Sequence, residues 1–248
     1  MIWLADLGNT RLKLARSHAG QIEYLADFAH ADTDFPDTLA RWLSSHELPA
    51  KIWLAAVATS VIKDRVIEIF TRAGIPVAQV RTQRTALGLT TDYIRHEQLG
   101  VDRWLALLAL HVEGTAPCVV ASIGSALTCD ALDTNGHHLG GLIAPTPEAM
   151  QAALLSRAPG LATAVTMTDS IGWFSRSTET GIASGCLLAS TALITRFHQT
   201  LSEHLQTPVR LVITGGAAAV VRPWLPTHTW RPNLVLAGLN TWLATIPE

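Results

Sequence analysis

Two stretches of the chain, offset by 116 positions, follow one plan: an apolar run, a glycine turn, a second run, another glycine turn and a third run. The offset lays Gly8 on Gly124, Ala15 on Ala131, Gly20 on Gly136 and Leu7 on Ile123. Three identities in so short a window carry little alone, but with a shared order of runs and turns they point to internal duplication. The runs are Ile2–Leu7, Leu12–Ala15 and Ile22–Phe28 in the first copy, and Cys118–Ile123, Ala126–Leu132 and His138–Ala144 in the second. Short apolar runs bounded by glycine and asparagine predict strands, and Asn135-Gly136 is a hairpin turn signal.

Helical patterns follow each set of strands. Pro36 opens one with Leu39, Trp42 and Leu43 at helical spacing, and 60–73 another, stopped by Gly74. Ile52–Val57 and Val77–Val80 predict strands, 81–100 is polar and irregular, and Val101–Val112 predicts a helix. In the second half, Pro145 starts a helix to about Ser156, 158–176 reads as loop, and Glu179–Leu205 predicts a long helix. Val209–Thr214 then predicts a strand, before two short helices. The expected fold is α/β: two similar halves with a central cleft, residues 1–115 and 116–248, divided near Gly114-Thr115-Ala116-Pro117.

Composition narrows the function classes. A net charge of −2 with 18 scattered basic residues argues against nucleic acid and anionic membranes as partners. Cys118, Cys129 and Cys186 form no CxxC pair and no disulfide framework, which suits a reducing compartment. The uncharged runs Gly114–Cys129 and Thr180–Thr195 fall short of a spanning helix, and Met1–Lys13 is interrupted by charge. A soluble, cytoplasmic protein is expected. With 48% hydrophobic and only 15% charged residues, some surface is expected to be covered in an oligomer. The small residues of Thr180–Thr195 are the candidate contact.

Several common signatures are absent. There is no Walker loop, no GxGxxG, no GxSxG, and His96-Glu97 fails as HExxH because position 100 is Gly. His137-His138, beside a turn, is expected to be solvated rather than metal-bound. Four segments remain. In Asp6-Leu7-Gly8-Asn9-Thr10-Arg11-Leu12-Lys13 a carboxylate ends a buried strand before a glycine turn. Gly8 lets backbone approach a ligand, the Asn9 and Thr10 amides can meet phosphate oxygens, and Asp6 can hold Mg²⁺ through water. An ordinary hairpin with a turn aspartate explains the segment equally.

The second is Gly100-Val101-Asp102-Arg103, where Asp102 is either a first-turn residue favoured by the helix dipole or a general base, with Arg103 holding an anionic substrate. Ser122-Ile123-Gly124-Ser125-Ala126-Leu127-Thr128-Cys129-Asp130, with Gly140-Gly141 after it, repeats the first segment. The fourth is a strand, Leu211–Thr214, running into Gly215-Gly216.

In this order and spacing the four segments resemble the type III pantothenate kinases, of the acetate and sugar kinase, Hsp70 and actin superfamily. That family carries DxGNT, GxDR, DxGTAxTxD with a following GG, and a late TGG. The resemblance covers essentially the whole chain. It implies a duplicated ribonuclease-H-like (actin-like ATPase) fold, a homodimer, and ATP-dependent phosphorylation of pantothenate, the first step of coenzyme A synthesis. It implies that Asp6, Leu7, Gly8, Asn9, Thr10, Arg11, Leu12 and Lys13, with Ser125, bind ATP, and that Mg²⁺ sits at Asp6. It implies that Tyr93, Gly100, Val101, Asp102 and Arg103 line the pantothenate site with Asp102 as base. Thr178 would reach the substrate from the other subunit. Ser122 stands where the family has Asp, a monovalent-cation ligand, so the K⁺ or NH4⁺ site carries over poorly. Ser125 replaces Thr and keeps the hydroxyl. A non-catalytic accessory relative, or a kinase of the superfamily for another small hydroxy acid, are the alternatives.

Overall fold

The computed structural model describes residues 1–18, 20–161 and 171–245, so Ala19 of the first glycine turn and 162–170 of the expected loop lie outside the described residues. The chain divides into two units, one of Met1–Gly114 with the segment from Asn233 onward, the other of Thr115–Pro232.

The first unit begins with β1 (Ile2–Leu7), β2 (Arg11–His18), β3 (Gln21–Ala29), α1 (Phe35–Ser44), β4 (Lys51–Ala56), α2 (Ser60–Arg72) and β5 (Val77–Gln79). Its sheet order is β3-β2-β1-β4-β5. The first three strands are antiparallel, and β4 and β5 continue in parallel. Parallel neighbours need crossovers, which α1 and α2 supply. Phe35, Leu39 and Leu43 of α1 and Val66 and Phe70 of α2 recur at helical intervals and pack on Leu12, Leu14 and Leu54 of the sheet.

The stretch 81–100, expected to be irregular, holds a small hairpin of β6 (Thr85–Ala86) and β7 (Leu89–Thr91). Its two turn residues, Leu87 and Gly88, both have positive φ (50° and 87°), and leucine is a poor sequence signal for such a turn. α3 (Val101–Val112) follows, buried nearly all round from Arg103 to Leu110.

The second unit holds β8 (Cys118–Ile123), β9 (Leu127–Leu132), β10 (His137–Ala144), α4 (Pro147–Arg157), α5 (Thr178–Leu205), β11 (Arg210–Thr214), α6 (Ala218–Val221) and β12 (Thr229–Trp230). Its strands run in the order β12-β11-β8-β9-β10, the mirror listing of the first sheet with the same antiparallel and parallel pairings. Thr146 and Ser177 cap α4 and α5 by accepting the amides of Ala149 and Thr180, each at 3.2 Å. By length and composition alone α5 could cross a membrane, but Leu187, Ile194 and Leu201 recur every second turn and face the core of this unit.

The last helix, α7 (Leu234–Leu243), falls in the second half by sequence yet packs within the first unit. A Cβ at Gly238 would stand 2.1 Å from the Leu105 carbonyl oxygen, so glycine is what lets α7 lie against α3. Trp242 meets Trp104 edge-on, with ring centroids 5.5 Å apart.

The repeated plan is therefore one sheet built twice, with a difference that a fixed offset hides. Leu7 pairs with Leu12, but Ile123 pairs with Leu127, so the second turn is one residue shorter. Leu4 lies opposite Ala15, whereas Val120 lies opposite Asp130. The sequence match of Ala15 with Ala131 is thus not a structural one; Asp130 occupies the position of Ala15. The next turn restores the offset, since Gly20 and Gly136, both with positive φ, directly precede Gln21 of β3 and His137 of β10.

Candidate functional site

In the first unit the expected residues converge on the end of β1. Asp6 lies opposite Lys13 of β2 and beside Ala55 of β4. Adjacent antiparallel positions bring the ammonium alongside the carboxylate. Lys13 Nζ also donates to Asn233 Oδ1 at 3.4 Å. Asp6 is half-buried, and its pKa is pushed up to about 7: burial raises it most, Lys13 pulls it down, and the charge of Asp102 raises it again. Asp102 is therefore close enough to be felt by Asp6. A second carboxylate beside a lone lysine leaves negative charge in excess, which suits a divalent cation held by one or two carboxylates together with phosphates. Among the described residues no three His, Cys, Asp or Glu side chains gather as a cluster that would bind a metal on its own.

Between β1 and β2, Gly8 donates to the Arg11 carbonyl at 3.0 Å, and Asn9 and Thr10 are exposed. Leu7 and Leu12 point into the core, so only their backbone faces the turn. Arg11 turns away from the loop: its guanidinium is held by Asp27, with Nε to Oδ2 at 3.1 Å, and that bond holds the Asp27 carboxyl below the usual carboxylate range. A Cβ at Gly8 would meet only the Arg11 carbonyl, at an ordinary 3.6 Å. The fold itself does not require glycine there, which leaves close approach by a ligand as its physical use.

Asp102 stands in the first turn of α3, and its Oδ1 accepts the Arg103 amide at 2.8 Å. Gly100 makes the room for it: a Cβ there would be 2.5 Å from Asp102 Oδ1. Val101 is buried and faces the core. Arg103 is only 8% exposed. Its Nη1 donates to Tyr93 Oη at 3.0 Å, and its guanidinium lies 5.6 Å from the tyrosine ring centroid. An acid, a buried arginine and a tyrosine thus meet at the N-terminus of one helix.

In the second unit Ser122 lies opposite Thr128 and beside Thr214, so hydroxyls stand where the first unit has Asp6 and Lys13. Ser125 is exposed in the short turn, and Thr178 is exposed at the first position of α5. Gly215, with φ +99°, packs under the β8 end, where a Cβ would be 2.2 Å from the Ile123 carbonyl oxygen. The fold demands glycine here, in contrast to Gly8. His137 and His138 part company: His137 is exposed, whereas His138 is fully buried and its Nε2 meets Asp130 Oδ1 at 2.8 Å. Neighbouring residues on a strand face opposite sides, so the expectation that both are solvated holds for His137 and fails for His138. Sequence also gave no sign of Asn233, distant in the chain, as the partner of Lys13; its left-handed φ of 54° at the start of α7 is its one local mark.

The profile of the type III pantothenate kinase family matches residues 2–200. A type III pantothenate kinase of Xanthomonas campestris pv. campestris is 38% identical over 244 residues, covering 97% of this chain and 96% of that protein. One from Xylella fastidiosa is 37% identical, covering 98% and 97%. Among solved structures, the Campylobacter jejuni protein described as a conserved Baf family transcriptional activator superposes with a TM-score of 0.60 at 18% identity, over 98% of this chain and 97% of that one, and so shares the fold. The profile match and the full-length relatives establish that the chain belongs to the type III pantothenate kinase family.

Proposed function

We propose that this chain transfers the γ-phosphoryl group of ATP to the terminal hydroxyl of pantothenate, giving 4′-phosphopantothenate, with the end of β1 and the start of α3 as its reacting centre. The observation that carries the assignment is the placing of Asp6 opposite Lys13 at the end of β1, with Asp102 and the Arg103–Tyr93 pair at the start of α3. Phosphoryl transfer asks a protein mainly for positioning and charge stabilisation, and these residues supply both. Asp102 orients the hydroxyl and accepts its proton as the new P–O bond forms and the bond to the departing ADP breaks. Tyr93 and Arg103 steady pantothenate; Arg103 adds positive charge for its carboxylate, and the tyrosine hydroxyl fixes the guanidinium. Asn9 and Thr10 present the amides of the turn to the phosphates, and Lys13 adds positive charge. Mg²⁺ held at Asp6, through water, would supply neutralisation of the phosphate oxygens.

Ser125 in the second turn is a further hydroxyl for the nucleotide phosphates. Ser122 is a weak ligand for K⁺ or NH4⁺, and neither cation is needed in this scheme. Exposed Thr178, at the start of α5, is offered to the substrate of a partner subunit in a homodimer. Support for that dimer is a surface cavity of about 370 Å³ where Gly181, Gly185 and Ala189 of α5 face outward. Beside it Trp173 is 76% and Phe174 95% exposed. Cys118, Cys129 and Cys186 are buried and form no disulfide, in keeping with a cytoplasmic enzyme. The test is the purified chain with Mg-ATP and pantothenate. One 4′-phosphopantothenate per ADP is expected, and its absence across a wide ATP range would overturn the activity.

A further inference from the structure

We infer that His30, which lies outside all four motif segments, is a positioning residue that fixes the direction of the phosphate-binding turn. It follows β3 directly and makes two hydrogen bonds to that turn. Its backbone amide donates to the Thr10 carbonyl at 3.2 Å. Its ring Nε2 lies 3.0 Å from the Gly8 carbonyl oxygen. A carbonyl can only accept, so Nε2 carries the proton. The ring in turn rests edge-on against buried Phe35, with centroids 6.3 Å apart, which limits its own rotation.

The consequence follows from peptide geometry. Across a trans peptide the carbonyl and the next amide point in opposite directions. Holding the Gly8 carbonyl on the imidazole therefore directs the Asn9 N–H away from it. Among the described residues that amide has no protein acceptor, and Asn9 is exposed. An exposed turn containing glycine would otherwise sample several orientations, and an anion would have to select one of them. Fixing the peptide plane beforehand removes that cost from binding.

The inference rests on the proposal that this turn receives ATP phosphates, and the experiment separates the two. Steady-state constants are measured for wild type, His30→Leu, His30→Gln and His30→Asn, with Asp6→Asn alongside. Glutamine places an amide N–H near the position of Nε2, whereas asparagine is too short to reach Gly8. His30→Leu and His30→Asn should raise the KM for Mg-ATP about 3- to 10-fold, the range of one hydrogen bond. The KM for pantothenate should stay within about twofold, and His30→Gln should recover most of the ATP effect. An unchanged ATP KM, an equal rise in both KM values, or a glutamine no better than asparagine overturns the role of His30. If His30→Leu does not fold, the glutamine and asparagine pair decides by the same criteria. Full turnover in Asp6→Asn would instead overturn the proposed reacting centre at the end of β1.

Discussion

The turn from Leu7 to Leu12 and the turn from Ile123 to Leu127 close the same hairpin at the same place in two copies of one sheet. Both are tied by a glycine amide at 3.0 Å, Gly8 to the Arg11 carbonyl and Gly124 to the Ala126 carbonyl. They differ in length by one residue and, more sharply, in charge. The first is flanked by Asp6 and Lys13 and senses Asp102; the second is flanked by Ser122 and Thr128. The backbone plan is therefore common to both copies, while charged residues flank the turn in only one of them. The turn glycines themselves are alike, since a Cβ at Gly124 would meet nothing within 4 Å and one at Gly8 only the Arg11 carbonyl at 3.6 Å; the glycine that packing demands is Gly215, against Ile123.

The largest effect expected from this asymmetry is at Asp102. Asp102→Asn keeps the shape and hydrogen-bonding oxygen of the side chain but cannot take a proton. It should lose about 10²- to 10⁴-fold in kcat with little change in thermal stability, read by product formation and a melting curve. A variant at full rate would leave the charged copy without its base.

Gly215→Ala tests the structural side of the comparison. The new methyl would meet the Ile123 backbone at 2.2 Å with φ at +99°, so a loss of about 2–4 kcal/mol is expected in urea unfolding. Gly8→Ala should stay within about 0.5 kcal/mol of wild type. Equal costs would mean that the two glycines serve the same purpose.

A smaller effect is expected from the protonation of Asp6. Its pKa stands near 7 in the folded chain, well above that of an unfolded aspartate. Between those values the folded chain keeps a proton that the unfolded chain has released. Asp6 therefore lowers stability as pH rises toward 7, and the full cost is present above it. Asp6→Asn removes that cost. Its melting temperature should exceed that of wild type at pH 8, by about 2–4 °C for each kcal/mol relieved, and the gain should vanish near pH 4. A gain independent of pH would show that burial of this carboxylate is not the cause.

Much of this was legible from residue patterns because it depends on local rules. Apolar runs between glycines gave the strands, and the first turn of α3 gave Asp102 its place. What escaped depends on register and long-range packing. The offset that matches Gly8 to Gly124 also matches Ala15 to Ala131, and only strand pairing shows that Asp130 holds the position of Ala15. Residue type told nothing of His138, because burial on β10 depends on which face the preceding turn leaves inward. Leu87 hid the hairpin turn of β6 and β7, and α7 joined the first unit through a close approach at Gly238 that no periodicity encodes. His30 belongs to no motif and acts through two carbonyl groups.

The central claim is that the two turns share a fold while the charge that the reaction needs flanks only the first, and it is tested most directly by changing the equivalent residue in each. The kcat of Asp6→Asn and of Ser122→Ala should be measured together at saturating Mg-ATP and pantothenate. Asp6→Asn should fall by about 10²-fold or more, as when one strong electrostatic stabiliser is removed. Ser122→Ala should remain within about threefold, the scale of one neutral hydrogen bond. Comparable losses in both, or an intact Asp6→Asn, would contradict the account.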